Sequence, residues 1–157
     1  MTAPVRVYVA APFSEWPLVR EVQARLRAEG AVISEDWTAG IESLPVGVTD
    51  GDVSEEVALA AAIADIEGVI SADAILSLTV ADKSKGCGQW CELGGAIVAR
   101  CIGTQNLDAA RSAMLDLSCT PRIAVCGPMR DRTIFSRFGK RFAAWEDALP
   151  YVLGRTT

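Results

Sequence analysis

The residues Ala74-Ile75-Leu76-Ser77-Leu78-Thr79-Val80 constrain the fold more than any other stretch, because as a strand they are apolar on both faces. Such a strand needs cover on two sides, which a central place in a parallel sheet between two layers of helices provides. The flanking segments agree. Val5 to Ala10 is a β-branched and aromatic run, after which Leu18, Val19, Val22 and Leu26 follow helical spacing until Gly30 stops them. Ala31 to Trp37 reads as a second strand. Asp52 or Ser54 is placed to cap a helix running to about Ser71, with Glu55 and Glu56 in its first turn. After the central strand, Trp90 to Cys101 and Leu107 to Leu117 are predicted helices, and Arg122 to Cys126 is a fourth strand ended by Gly127-Pro128. Phe142 marks a brief fifth strand, and Trp145 to Leu153 a closing helix.

Strands alternating with helices predict one α/β domain over 1–157, a three-layer sandwich with five parallel strands joined by right-handed crossovers. The order 2-1-3-4-5 is the common solution for such a sheet, and it puts the ligand crevice between the first and third strands. Two loops should build that crevice, Ala10–Trp16 and Ala81–Trp90. The segment from Thr38 to Asp52, with Gly40, Pro45, Gly47 and Gly51, reads as a long loop of the kind that often carries function.

Charge and composition narrow the chemistry. Fifteen Lys and Arg against 20 Asp and Glu give a net charge of −5, so no general cationic field exists to collect nucleic acid or an anionic membrane surface. The most apolar stretch, Val57 to Val80, is broken by Asp65, Glu67 and Asp73, short of the about 20 clean apolar residues that cross a bilayer. Met1 to Arg6 is too short and too weakly basic for a secretory signal, and a cytoplasmic product is expected. The five cysteines stand in apolar company, which suits reduced thiols. With no histidine and no CxxC pair, neither a metal on Cys87 and Cys91 nor any other cofactor is expected, and Ser-His-Asp and Cys-His mechanisms are excluded. There is no GxGxxG after the first strand, no Walker P-loop and no GxSxG elbow, so dinucleotide redox chemistry, nucleoside triphosphate hydrolysis and esterase chemistry lack their parts. Carboxylate chemistry remains.

Glu92 follows the third strand within Gly86-Cys87-Gly88-Gln89-Trp90-Cys91-Glu92, in or near the first turn of a helix at the predicted crevice. There the helix dipole would keep it ionised, as a carboxylate nucleophile must be; the bland alternative is an ordinary first-turn glutamate. Asp65 has Ala61, Ala62, Gly68 and Val69 as helical neighbours and no basic partner among them. On a buried face its pKa should rise by desolvation, whereas beside Glu67 on a solvated edge it is unremarkable in role. Tyr8, near the end of the first strand, either reaches the crevice with its hydroxyl or packs in the core, and Trp37 either stacks on a planar base or is simply buried. Lys83, Ser84 and Lys85 either meet a phosphate or form a solvated turn.

Three segments in register, Val7-Tyr8-Val9-Ala10-Ala11-Pro12-Phe13, Ala64-Asp65-Ile66-Glu67-Gly68-Val69-Ile70-Ser71-Ala72-Asp73-Ala74 and Gly88-Gln89-Trp90-Cys91-Glu92-Leu93-Gly94-Gly95-Ala96, resemble the nucleoside 2-deoxyribosyltransferase family. That family includes the related 2'-deoxynucleoside 5'-monophosphate N-hydrolases. The resemblance covers nearly the whole chain and implies a flavodoxin-like fold, a homodimer or higher homo-oligomer, and cleavage of the N-glycosidic bond of a nucleoside or nucleotide through a covalent glycosyl-enzyme intermediate. It implies Glu92 as nucleophile, Asp65 as the residue that contacts the base and exchanges a proton with it, and Tyr8 as the group orienting the nucleophile. Ala10, Pro12 and Phe13 would line the pocket, and Ser84, Gly86 and Gly88 are compatible with the phosphate-holding loop of the hydrolases.

The chain also departs from the family pattern. Gly86 stands where the transferases often carry a base-reading aspartate, Ala11-Pro12-Phe13-Ser14 lacks the basic residue of the hydrolases, and the segment from Cys101 to Pro121 is longer than usual. A neighbouring subunit often completes the pocket in such enzymes, with Arg130 or Arg132 as candidates for that contribution. With no convincing phosphate clamp, transfer of 2-deoxyribose to a free nucleobase is expected ahead of hydrolysis. A non-catalytic nucleotide-binding or signalling module, and a flavin carrier, are the readings of another class.

Overall fold

The computed structural model describes residues 3–41, 54–80, 87–128 and 135–155. Five parallel strands form one sheet: β1 (Arg6–Ala10), β2 (Val32–Ile33), β3 (Ala74–Leu78), β4 (Arg122–Cys126) and β5 (Lys140–Phe142), in the order β2-β1-β3-β4-β5. This is the expected α/β flavodoxin-like arrangement. All five residues of β3 are buried, and it pairs with β1 from Ala74 opposite Val7 to Ser77 opposite Ala10, and with β4 from Ala74 opposite Arg122 to Leu78 opposite Cys126.

Alternation along β1 divides the core in two. Val7 and Val9 point into one layer with Val19, Val22 and Leu26 of α1 (Trp16–Ala28) and Leu149 and Val152 of α5 (Leu149–Val152). Tyr8 and Ala10 point into the other, with Val69 of α2 (Glu55–Ile70) and Leu93, Ala96 and Ile97 of α3 (Cys87–Cys101). Ser54 caps α2 by accepting from the Val57 amide, as expected, and Gly30 ends the chain's turn out of α1 at φ 87°, a conformation that suits glycine.

The helix from Leu107 stops at Leu115 and the closing helix is only Leu149–Val152, and at three further boundaries that differ from the sequence expectation a side chain bonds a main-chain carbonyl of a neighbouring element. β2 has only two residues instead of extending to Trp37: after the Ser34 amide donates to the Val7 carbonyl at 3.0 Å, the Trp37 indole N–H donates to Val9 at 2.8 Å in place of a ladder bond. The Thr38 hydroxyl meanwhile turns the chain by donating to Asp36 Oδ1 at 2.6 Å. β3 ends at Leu78, and the Thr79 amide and hydroxyl both donate to the Cys126 carbonyl at 2.7 Å. α3 starts at Cys87, not Trp90, and its buried Gln89 hooks back onto β3 by donating to Ser77 Oγ at 2.9 Å and to the Leu78 carbonyl.

The segment between Cys101 and Pro121 is organised by one buried cation. Arg100, 5% exposed, donates to the carbonyls of Pro121 at 2.8 Å, Met114 at 3.1 Å and Phe138 at 2.9 Å, holding α4 (Leu107–Leu115) and the chain before β4 against the end of α3. Burial pushes its pKa down, yet a guanidinium stays charged, so its bonds are charge-assisted. Among the described residues no helix is long and apolar enough to cross a membrane. Arg100→Ala orphans three carbonyls and should lower unfolding stability by about 3 kcal/mol, read as a fall in the urea midpoint; Arg100→Lys should recover only part of it, because an ammonium cannot reproduce the planar fork.

Candidate active site

Tyr8 is fully buried in the layer shared by α2 and α3, and its ring lies against Gly68. A Cβ at Gly68 would collide with Glu35 Cβ and sit 3.1 Å from the Tyr8 ring, so the missing side chain is what lets the ring approach α2. Asp65, one turn earlier on α2, therefore meets the Tyr8 hydroxyl at 3.0 Å through Oδ1. Glu92, on the neighbouring α3, meets the same hydroxyl at 3.1 Å through Oε1, and its other oxygen, Oε2, is buried with no hydrogen-bond partner among the described residues. Three residues far apart in sequence thus converge at the C-terminal side of β1, next to β3, where the strand order reverses.

Proton counting fixes what this cluster can do. A phenol has one hydrogen to donate, while two carboxyl oxygens lie within reach of it. The contacts are all satisfied only when one carboxyl also carries a proton and donates it to the Tyr8 oxygen. Burial pushes the Glu92 carboxyl up to about 7, with the negative charge of Asp65 adding to the rise and the Tyr8 hydrogen bond opposing it. Burial likewise raises Asp65, again opposed by Tyr8. Tyr8 itself is pushed far up by burial and by both carboxylates, and stays a phenol.

The helix dipole does not govern the Glu92 proton. Because α3 begins at Cys87, Glu92 is past its first turn, which contains no acidic residue, and burial controls its titration instead.

The pocket-lining expectations divide. Ala10 and Pro12 are buried at the end of β1, and Phe13, 42% exposed, stacks on Trp37 with ring centroids 6.3 Å apart and 30° between planes. Trp37 packs against the cluster that holds Tyr8 and Ala10, and with its N–H committed to Val9 it has only ring surface left to offer. Gly88 lies within the first turn of α3 instead of in a loop. Ser84 and Gly86 lie outside the described residues, as do Lys83, Lys85, Arg130, Arg132 and most of the Thr38–Asp52 loop.

Two supporting residues escaped the sequence reading. Gln89 sits one turn before Glu92 near the start of α3, and Gly68 is a glycine inside a helix otherwise rich in alanine and isoleucine, where it costs about 1 kcal/mol relative to alanine and so signals a close approach. Among the described residues no group of three or more His, Cys, Asp or Glu side chains is arranged to hold a metal ion. No protein-family model matches the chain, and no curated protein does.

The two partners of Glu92 act on it with opposite sign. Asp65→Asn removes a charge that raises it, so the Glu92 carboxyl should titrate below about 7; Tyr8→Phe removes a hydrogen bond that lowers it, so the same carboxyl should titrate higher. Gly68→Ala, which crowds the Tyr8 ring, should follow Tyr8→Phe. Carbon-13 NMR titration of the glutamate carboxyls reads all three.

Proposed function

We propose that this protein cleaves the N-glycosidic bond of a 2'-deoxynucleoside through a covalent Glu92 intermediate and passes the 2-deoxyribosyl group to a second nucleobase. The observation that carries this reading is the single Tyr8 hydroxyl held between Asp65 and Glu92, with the second Glu92 oxygen buried and unpartnered. Two carboxyls one hydroxyl apart are closer than the about 6.5–9.5 Å that leaves room for an attacking water in an inverting pair, which favours direct attack by a carboxylate. The Phe13–Trp37 stack, at the edge of both core layers, supplies aromatic surface for a planar base.

The reaction follows from the shared proton. In the empty site the proton rests on Glu92; as it passes to the Tyr8 oxygen, Tyr8 passes its own to Asp65, and the phenol is restored. Glu92 is then ionised and Asp65 protonated. Glu92 attacks C1', the C1'–N bond breaks, and Asp65 gives its proton to the departing base, leaving a 2-deoxyribosyl ester on Glu92. A second base attacks C1', returns a proton to Asp65, and the ester bond breaks to regenerate the carboxylate. Water in place of the second base gives hydrolysis.

Glu92→Gln should abolish base release from deoxynucleosides, by ~10³-fold or more, while nucleoside binding persists, as measured by chromatography of free bases beside calorimetric titration. In the wild type, log kcat/KM should fall with unit slope as pH rises through about 7, where the pair loses the proton that Asp65 must give to the departing base. Base release that needs no acceptor base would assign water as the acceptor. Tight binding without turnover for any deoxynucleoside or its 5'-monophosphate would replace the enzyme with a binding module.

A further inference from the structure

Trp37 follows β2 on a turn outside the sheet's hydrogen-bond ladder, so the sheet alone does not hold the plane of its ring. Its indole N–H donates to the Val9 carbonyl at 2.8 Å, and one hydrogen bond at one edge fixes a point, not a plane. Phe13 supports the ring from one side, with centroids 6.3 Å apart. The backbone that carries the ring is a tight turn, in which the Ala39 amide donates to the Asp36 carbonyl at 2.9 Å.

α1 supplies the further constraint. Arg20 and Arg27 stand at i and i+7, about two helical turns apart, and so lie on one face of α1. They take the two residues that flank Trp37. Arg27 Nη2 donates to Asp36 Oδ2 at 2.6 Å, and Arg20 Nη2 donates to the Thr38 carbonyl at 2.9 Å with its Nε 3.4 Å from Thr38 Oγ1. The Thr38 hydroxyl, donating to Asp36 Oδ1 at 2.6 Å, joins the two grips into one network. Burial would raise the Asp36 carboxyl, but the bonds from Thr38 and Arg27 outweigh it and hold the group below its ordinary value. Arg20 also reaches the other member of the stack: its guanidinium lies over the Trp16 ring, 5.1 Å from the centroid, and the Trp16 amide donates to the Phe13 carbonyl. One cation thus touches both segments that present the rings. The two grips are unequal. Thr38 is 1% exposed, so losing Arg20 leaves a buried carbonyl without its charged donor, whereas the Arg27–Asp36 pair is open to solvent on both sides and screened.

We propose that Arg20, with Arg27 in support, is a positioning residue that sets the Phe13–Trp37 stack as the binding wall for a planar nucleobase. Both arginines act through the chain on either side of Trp37, and Arg20 acts in addition through Trp16. The proposal rests on the reading that a base enters this crevice, and it is indifferent to whether Glu92 attacks the sugar.

Calorimetric titration of the full chain with free adenine reads the wall apart from any turnover. Arg20→Met keeps the apolar stem and loses the donors, and it should weaken adenine binding by about tenfold, with Arg20→Lys intermediate and Arg27→Met costing about twofold. In a Trp37→Leu background Arg20→Met should cost nothing further, because its effect runs through the ring that is gone. In the proton–nitrogen NMR spectrum the Trp37 indole N–H resonance, set by its bond to Val9, should shift in Arg20→Met while the circular dichroism spectrum stays that of the wild type. Adenine bound by Arg20→Met as tightly as by the wild type, a loss as large without Trp37 as with it, or an unmoved indole resonance would each overturn the proposal, as would a wild type that does not bind adenine. A wild type that binds adenine with this pattern and yet releases no base from any deoxynucleoside would reject the glycosidic reaction alone and uphold the wall.

Discussion

One hydrogen atom, on the hydroxyl of Tyr8, stands between two carboxyl groups that would otherwise repel each other in a water-poor layer of the protein. Two carboxylates at such a site cannot both ionise freely, so the pair behaves as one titrating unit with a proton to share. Tyr8 is suited to the middle position because its own pKa is driven upward by the same burial and charges. It passes protons without holding a negative charge, which keeps one carboxyl acidic and one basic at once. Much of the surrounding structure serves to keep that hydroxyl in place.

The sheet provides the first part of that support. Tyr8 is fixed by β1, whose neighbours on both sides are strands, while Asp65 and Glu92 arrive on the two helices that cover one face of it. Side chains then set the helices' approach. Gln89 ties the start of α3 to β3 one turn before Glu92, and the bare backbone at Gly68 brings α2 down onto the Tyr8 ring. On the other flank Trp37 replaces a strand bond with its indole N–H, which fixes an aromatic ring beside the crevice without a longer β2. Apart from the Gln89 hook, which joins consecutive elements, these contacts link elements distant in sequence, so the geometry of the site depends on the completed sheet.

That dependence explains how much the sequence discloses. The two-faced apolar run of β3 and the alternation of strands and helices specify the sheet order, because packing leaves a parallel sheet few alternatives. Glu92, Asp65 and Tyr8 stand out as carboxylates and a phenol in apolar surroundings, and the structure brings all three together. What stays hidden is decided by side chains reaching across elements. Neither the Trp37 bond that truncates β2 nor the Gln89 hook that lengthens α3 leaves a periodic trace. The helix start in turn governed the electrostatics: moving it from Trp90 to Cys87 takes Glu92 out of the first turn, and desolvation replaces the dipole as the force on its proton.

The elevated pKa of Glu92 also ties function to stability with a definite sign. A carboxyl raised from 4.5 to about 7 on folding favours the native state below the unfolded value, and that contribution is lost as pH rises through about 7. The form that attacks is Glu92 ionised with its proton moved to Asp65, so the site reacts only by leaving the protonation state of Glu92 that stabilises the fold. The unpartnered Oε2 expresses the same opposition, since a buried carboxylate oxygen without a donor is stabilised only by something that enters the crevice. A bound sugar with positive charge developing at C1' would meet that need more fully than the resting site does, and more fully at the transition state than in the ground state. The cost of burying Glu92 in the empty protein is thereby turned into selectivity for the moment when charge develops against it.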